Sequence, residues 1–242
     1  MSLPYRDFYY PLNVFMHVLT LEQGSVSYLH YGLFANPDES LAIAQERSTE
    51  LLLARLPQPP ARLLDVGTGL GTTLARLTSL GYDVLGITPD EKQIALLEPS
   101  LNARCIAFEN LTNERFDAVI FQESSQYIDS QTLFAKAAKL TDHIIVLDEF
   151  TIANEGTLHR LADFLAAATT HGFRKTEELD LTAQAAPTIT YVSALIAKHR
   201  NALKTDLEIS DEQITDLIDS GTRYAESYRI GTYGYRLLQF EK

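Results

Sequence analysis

The chain has 242 residues and a formal net charge of −12, with 45% hydrophobic and 21% charged residues. These values indicate a globular protein with a substantial core, and they argue against the basic surface that nucleic acid or an anionic membrane requires. We find no signal-peptide pattern at the N-terminus and no apolar stretch long enough to span a bilayer. We therefore expect a soluble, cytoplasmic protein with no nucleic-acid partner and no membrane insertion. The single cysteine, Cys105, excludes an intrachain disulfide, and its apolar strand setting predicts a buried thiol.

The predicted elements begin with two helices. Apolar residues at helical spacing predict the first over Tyr10–Leu21, and Asp38 is the expected N-cap of a second helix that reaches Leu56. Prolines at positions 57, 59 and 60 end the second helix. An aromatic segment, Tyr28–Phe34, lies between them. Residues 1–60 are therefore predicted to form an N-terminal helical cap.

From position 61 onward, strands and helices alternate, which is typical of a doubly wound parallel sheet. The predicted strands are Arg62–Val66, Asp83–Ile87, Ala103–Phe108, Phe116–Phe121, His143–Leu147, Phe173–Leu181 and Thr232–Phe240. The predicted fold is α/β, with a Rossmann-like doubly wound seven-stranded sheet. Residues 61–182 form its core, and residues 231–242 contribute its last strand.

A helical insertion precedes the last strand. One helix is predicted over Ile189–Leu203, and Ser210 with Gln213 fits a capping box for a second helix that reaches Tyr228. This insertion of about fifty residues is too long for a simple connection. We therefore expect residues 183–230 to form a lid over the carboxyl ends of the strands, where open α/β sheets bind ligands.

A glycine-rich turn follows the first strand of the sheet. Gly67, Gly69 and Gly71 allow the main chain to approach a ligand closely, and the following helix offers unpaired N–H groups. Position 72 is threonine, so the G-x-G-x-x-G dinucleotide fingerprint is incomplete, and no phosphate-binding P-loop is present. Asp65 beside the loop would repel a pyrophosphate but suits a ligand that bears an ammonium group.

The segment Leu-Asp-Val-Gly-Thr-Gly-Leu-Gly at 64–71 resembles motif I of the class I S-adenosylmethionine (SAM) dependent methyltransferases. The resemblance implies that the loop holds the methionine part of SAM. The residues that it assigns to this role are Asp65, Gly67, Thr68, Gly69 and Gly71.

Thr88 and Gln93 follow the second strand, where the family usually has an acidic ribose ligand. A Gly-Ile-Thr string with glutamine five residues later resembles the branch that contains cyclopropane fatty-acid synthase and tocopherol C-methyltransferase-like enzymes. In that branch, Thr88 and Gln93 would take over the ribose contacts. Glu109 and Asn110 follow the third strand and are the expected adenine contacts.

Gln122 and Glu123 follow the fourth strand, at the position of motif IV. The resemblance places Gln122 at the cofactor and Glu123 between cofactor and acceptor. A carboxylate there can orient an acceptor amine or hydroxyl, take its proton or stabilise a cation. The cyclopropane branch has a Glu-His pair near the position where this chain has Gln126 and Tyr127. The absence of that pair favours plain methyl transfer over cyclopropanation.

Aromatic residues flank the predicted site. The resemblance places Tyr28 at the cofactor carboxylate. Tyrosine rings near the lid offer π-faces to a sulfonium or a cationic substrate, although the same spacing also suits ordinary packing. The predicted substrate-binding residues are His30, Tyr31, Tyr127, Tyr191, Tyr228 and Tyr233. The histidines match no metal-ligand spacing, so no metal is expected.

The predicted function is SAM-dependent methyl transfer to a small molecule by in-line displacement, with S-adenosylhomocysteine (SAH) as the product. A nitrogen or carbon acceptor is favoured, oxygen is possible, and secondary metabolism is the expected setting for a monomer or homodimer. A catalytically inactive module that binds SAM or SAH is an open alternative. A nucleotide-dependent oxidoreductase is a further alternative, which Thr72 and Thr88 disfavour.

Overall fold

A seven-stranded mixed sheet organises the fold. The computed structural model describes residues 3–112 and 114–242, and its strands are β1 (Arg62–Val66), β2 (Asp83–Thr88), β3 (Ala103–Cys105), β4 (Ala118–Gln122), β5 (His143–Thr151), β6 (Arg174–Asp180) and β7 (Tyr233–Glu241). Their order is β3-β2-β1-β4-β5-β7-β6. Strands β1 to β5 are parallel, and β7 runs antiparallel to both of its neighbours. This is the predicted seven-stranded α/β fold.

Helices cover both faces of the sheet. They are α1 (Leu12–Gln23), α2 (Leu41–Leu53), α3 (Thr72–Ser79), α4 (Glu91–Leu96), α5 (Ser130–Leu140), α6 (Leu161–Thr170), α7 (Thr182–Ala185), α8 (Pro187–Lys198), α9 (Arg200–Asp206) and α10 (Asp211–Arg229). Successive residues of a strand point to opposite faces, so Leu63 and Leu64 enter two different apolar clusters. Both are fully buried, as is expected for a central parallel strand.

The N-terminal helix packs on the insertion that precedes β7. Val14 and Val18 of α1 share an apolar cluster with Leu195 of α8 and Ile214 of α10. His17 reinforces this contact, because its ring nitrogens hydrogen-bond the Tyr5 hydroxyl at 3.1 Å and a carboxylate oxygen of Asp206 in α9 at 3.0 Å. The division of the chain into cap, core and lid remains a prediction.

Several local predictions need correction. Ser40, and not Asp38, caps α2, since its side chain accepts a hydrogen bond from the Ile43 amide. The run predicted as one helix over Ile189–Leu203 is divided into α8 and α9 at His199. The Ser210 capping box is confirmed.

The strand ends also differ from the prediction. Cys105 is exposed, so the prediction of a buried thiol is wrong. The reason is that β3 is short and lies at the edge of the sheet, where one side has no neighbouring strand. Strand β5 runs four residues beyond Leu147, because β7 pairs with it as far as Thr151. No helix among the described residues has the length and apolar character needed to cross a membrane.

Candidate active site

A cavity of about 820 Å³ opens at the carboxyl ends of β1, β2 and β4. The strand order places β2 and β3 on one side of β1 and places β4 and β5 on the other. The order in which strands are added to the sheet therefore reverses between the parallel neighbours β1 and β4, and doubly wound sheets bind ligands in the crevice at such a point. The segment Ser27–Tyr31 and the start of α1 supply the opposite wall.

The cavity gathers most of the predicted site residues. Those that line it are Tyr28, His30, Tyr31, Asp65, Gly67, Thr68, Gly69, Thr88, Gln93, Glu109, Gln122, Glu123 and Tyr127. Five predicted residues do not line it, namely Gly71, Asn110, Tyr191, Tyr228 and Tyr233.

The glycine turn after β1 is held in a conformation that favours glycine. Gly67 has φ 76°, Gly69 has φ 55° and Gly71 has φ 77°, all in the left-handed region that costs an L-residue about 1–2 kcal/mol. A Cβ added to Gly67 would lie 2.5 Å from the Cβ of Ser124 in the loop after β4. The turn therefore fits against that loop only because Gly67 has no side chain. Gly71 lies behind the cavity, where a Cβ would meet Leu97 at 2.7 Å.

We expect Gly67→Ala to lower the free energy of unfolding by more than Gly172→Ala does. Both glycines have positive φ, 76° and 85°, so both variants carry the left-handed penalty. A Cβ on Gly172 would have no atom within 4 Å, whereas the clash at Gly67 adds about 1–3 kcal/mol. Urea denaturation of the two variants measures the difference. Equal losses would contradict the close fit between the turn and Ser124.

Asp65 is the acidic group beside this turn. Its side chain is buried, with 3% exposure, and its Oδ2 accepts a hydrogen bond from the Thr68 hydroxyl at 2.8 Å. Within the described residues, Oδ1 has no hydrogen-bond partner, although Asp65 lines the cavity. Burial raises the pKa of this carboxyl to about 6. A cationic ligand group at Oδ1 would satisfy the free oxygen and favour the ionised form.

Thr88 and Gln93 are adjacent at the end of β2. The Thr88 hydroxyl donates to Gln93 Oε1 at 2.8 Å, and both side chains line the cavity. This pair leaves the amide nitrogen of Gln93 and a lone pair of the Thr88 hydroxyl for a ligand. Phe108, buried to 3% exposure, closes the next part of the wall, with Glu109 exposed at the rim.

Glu123 is held at the end of β4 by two donors. Its Oε1 accepts hydrogen bonds from the Tyr31 amide and from the Tyr235 hydroxyl, both at 2.6 Å. The backbone has φ 55°, a conformation that is uncommon for a residue other than glycine and clusters at functional sites. Burial, together with the nearby charge of Glu149, raises the pKa of Glu123 well above its ordinary value.

Glu149 is a second carboxyl group in the cavity wall, and the sequence analysis did not identify it. Its Oε1 accepts hydrogen bonds from the hydroxyls of Tyr224 at 3.0 Å and Tyr228 at 2.5 Å, both on α10. Burial raises its pKa. The signal in the sequence was the acidic pair Asp148 and Glu149 directly after the predicted strand His143–Leu147, the same pattern that indicated Glu123.

Asp148, the other member of this pair, has a structural role. It is 2% exposed, and its Oδ2 accepts hydrogen bonds from the Ser125 amide at 2.9 Å and from the Ser125 hydroxyl at 2.6 Å. Burial raises its pKa to about 7. Asp148 therefore fixes the loop that carries Glu123.

Two aromatic rings from distant parts of the chain stack beside these carboxyl groups. The rings of Tyr31 and Tyr235 are parallel, with centroids 5.6 Å apart. Tyr235 is fully buried in β7 and is not among the predicted site residues; its position depends on how β7 pairs with β5. Tyr127 marks the mouth of the cavity and is 80% exposed.

The remaining predicted residues have supporting positions. His30 is buried, hydrogen-bonds the Tyr31 carbonyl at 3.0 Å, and has its pKa lowered to about 4 by burial, so it is neutral. Tyr228 does not line the cavity, but its hydroxyl donates a hydrogen bond to Glu149, which does. The Tyr233 hydroxyl hydrogen-bonds Thr157, and Tyr191 packs against Phe34 away from the cavity.

Two other predicted site residues, Tyr28 and Gln122, are held by hydrogen bonds to neighbouring side chains. The Tyr28 hydroxyl donates to Glu46 at 2.9 Å, and Gln122 accepts from the Thr73 hydroxyl at 3.0 Å. No group of three or more His, Cys, Asp or Glu side chains in the ranges 3–112 and 114–242 is placed to hold a metal ion.

Part of the chain matches a known protein family. Residues 64–142, which run from within β1 to just beyond the end of α5, match the family described as "Methyltransferase domain". One curated relative is the ubiquinone biosynthesis O-methyltransferase of Nitrobacter winogradskyi, with 32% identity over 81 residues. That alignment covers 30% of this chain and spans 31% of the relative's length.

Solved structures resemble the whole fold. The cyclopropane synthase MmaA2 from Mycobacterium tuberculosis superposes with a TM-score of 0.82 at 18% identity, covering 99% of this chain and 96% of that chain. A putative sarcosine dimethylglycine methyltransferase from Galdieria sulphuraria gives a TM-score of 0.81 at 17% identity, covering 95% of this chain and 98% of that chain. The resemblance to class I SAM-dependent methyltransferases is therefore confirmed, at the level of the fold and of the matched domain.

Proposed function

We propose that this chain, which carries a methyltransferase domain on a class I methyltransferase fold, binds SAM in the cavity and transfers its methyl group to a small-molecule acceptor. The observation that carries the proposal is the free Oδ1 of the buried Asp65 beside the left-handed turn at Gly67 and Gly69. This arrangement suits the α-ammonium group of an amino-acid tail and does not suit a diphosphate.

The order of side chains along the cavity supports the placement of the cofactor. Asp65 would hold the methionine ammonium, Thr88 and Gln93 the ribose hydroxyls, and Phe108 the adenine ring. These residues lie at or just after the carboxyl ends of β1, β2 and β3, which are neighbours in the sheet. Beyond β1 on the other side, Glu123 follows β4 and leaves the space beside it for the acceptor.

The chain's own residues contribute alignment, exclusion of water and a proton acceptor. When bound, SAM supplies an electrophilic methyl group on a sulfonium. The wall from Ser27 to Tyr31 and the loop after β4 enclose the space where the acceptor must align with that methyl group. Holding two reactants in line supplies about 7–11 kcal/mol in well-oriented systems. In this proposal Glu123 orients the acceptor and takes its proton.

The acceptor atom and the metabolic setting are further parts of the proposal. We favour a nitrogen or carbon acceptor over oxygen, because a carboxyl group faces the acceptor space. We propose secondary metabolism as the setting. The printed names of the relatives include an O-methyltransferase, a cyclopropane synthase and a sarcosine dimethylglycine methyltransferase. Similar folds are thus associated with different substrates, so the acceptor of this chain has to be inferred from the residues of its own site.

Calorimetric titration tests the cofactor assignment. We expect SAM and SAH each to bind with one site per chain and NADH to give no heat of binding. Crystals grown with SAH should show its ammonium group at Asp65 Oδ1. Binding of NADH in place of SAH would support the oxidoreductase alternative and overturn the proposal. Binding of SAH without transfer to any acceptor would support the inactive module instead.

A further inference from the structure

We propose that the methyl acceptor is an amine on an apolar or aromatic body, and that Glu123 and Glu149 receive its nitrogen beside Tyr31. This inference rests on the proposed function, because it assigns the part of the same cavity that the cofactor leaves free.

The charges that line the cavity favour a cation. Its acidic side chains are Asp65, Asp90, Glu109, Glu123 and Glu149, and the described part of the chain contributes no lysine or arginine to the lining. The only histidine among the lining residues, His30, is neutral. An acceptor with a carboxylate or phosphate group would therefore meet carboxyl groups with no compensating cation, which is energetically costly in a partly buried site.

The second oxygens of two carboxyl groups mark where the nitrogen would bind. Oε1 of Glu123 is occupied by Tyr31 and Tyr235, and Oε1 of Glu149 is occupied by Tyr224 and Tyr228. The hydrogen bonds to these two side chains at 3.0 Å or less are all made to Oε1, and the Tyr31 hydroxyl also lies close to the Glu149 carboxyl. Both residues line the cavity, and we place the nitrogen at their Oε2 atoms.

The sheet register brings the two carboxyl groups together. Gln122 of β4 pairs with Leu147 of β5, so Glu123 and Glu149 follow paired positions by one and two residues. Their mutual repulsion contributes to the raised pKa of Glu123. All four groups that hold their Oε1 atoms are neutral donors, three tyrosine hydroxyls and one backbone amide. An ammonium group would supply the missing positive charge, whereas a phenol or alcohol would not.

Aromatic and apolar surface lies next to this pair. Tyr31 presents its ring in the cavity wall, where a π-face attracts a cation by about 0.5–2 kcal/mol. Toward the mouth, Leu12 and Phe15 of α1 face the cavity together with Tyr127 and Ile128. This surface suits an apolar or aromatic body attached to the nitrogen.

The transfer step balances with the groups present. A bound ammonium first loses one proton to the carboxylate of Glu123, which leaves a lone pair on nitrogen. That lone pair forms the N–C bond to the methyl group as the C–S bond breaks. The electron pair of the broken C–S bond remains on sulfur. The products are SAH, an N-methylammonium and protonated Glu123, which releases its proton to solvent.

Binding of three probes of similar size to the SAH-saturated protein tests the inference. We expect phenethylamine to bind at least about tenfold more tightly than 2-phenylethanol, which corresponds to one charged hydrogen bond, and phenylacetate to bind most weakly. Glu149→Gln should remove most of the amine preference and leave SAH affinity unchanged. Glu155→Gln, in an exposed connection after β5, is the matched control and should leave both unchanged.

Methyl transfer from labelled SAM to tyramine provides the second arm, since tyramine carries both an amine and a phenol. We expect the label on nitrogen. Label on the phenolic oxygen, or alcohol or carboxylate binding as tight as amine binding, would overturn the inference. Failure of SAH itself to bind would instead overturn the proposed function, so the two failures are distinguishable.

Discussion

Asp65→Asn is expected to weaken SAH binding by about 100-fold or more, because a charged hydrogen bond is lost and the ammonium group loses its buried counter-charge. Asparagine keeps the volume of the side chain and an oxygen that can accept the hydrogen bond from Thr68. The variant should therefore fold. Calorimetric titration of SAH, which retains the amino-acid tail of SAM, measures the loss without any acceptor present.

A stability measurement separates this effect from misfolding. The pKa of Asp65 in the folded protein is raised to about 6 from 3.8. The stability that the protonated form provides is complete below the unfolded value and is lost as pH rises through about 6. Asp65→Asn avoids this loss, so its stability relative to wild type should increase between pH 4 and pH 7. Unchanged SAH affinity in Asp65→Asn would remove the cofactor assignment.

Glu123→Gln is expected to lower the rate of methyl transfer by about 100-fold or more, since a general base contributes at least that factor. The glutamine oxygen can still accept the hydrogen bonds from Tyr31 and Tyr235, so the backbone at this position should be retained. SAH is a neutral thioether at sulfur, and its affinity should be unaltered. Single-turnover assays with labelled SAM and phenethylamine measure the rate.

The pH profile distinguishes a proton acceptor from a structural residue. Burial and Glu149 raise the pKa of Glu123, and only the ionised form accepts a proton. The wild-type rate should therefore rise with pH through that raised value, and Glu123→Gln should lose this limb of the profile. Glu155→Gln should retain it. A wild-type rate in Glu123→Gln would show that Glu123 takes no part in the reaction.

Burial makes the carboxyl groups of this site harder to ionise. Asp65, Glu123, Asp148 and Glu149 all have raised pKa values, and burial is the first cause for each. A cationic ligand favours their ionised forms. Three of these groups, Asp65, Glu123 and Glu149, line the cavity, and they are the groups whose ionised forms a sulfonium and an ammonium would stabilise.

Local sequence was sufficient where neighbouring residues decide the structure. Strand β1 has the predicted bounds, Arg62–Val66, because an apolar run is followed directly by the glycine turn. The cap of α10 at Ser210 was also predictable, since both hydrogen bonds of a capping box are made within four residues. The resemblance to the methyltransferase motifs predicted that Asp65, Thr88 and Gln93 belong to the site, and all three line the cavity.

Long-range pairing decided the rest of the site. Glu149 lies in the cavity wall because β5 continues to Thr151, and it does so because β7, about ninety residues later in the chain, pairs with it as far as Tyr233. The same pairing places the Tyr235 hydroxyl on Glu123. No periodicity within β5 could reveal this partner.

The sequence by itself determined the alternation of strands and helices, the glycine turn and the acidic group beside it, because those features depend on residues a few positions apart. Only the tertiary structure decided which distant groups hold Glu123 and Glu149, the exposure of Cys105 at the sheet edge and the position of Tyr191 outside the cavity. Each of these depends on which distant segments pack together, and the free energy of that packing is a property of the whole chain.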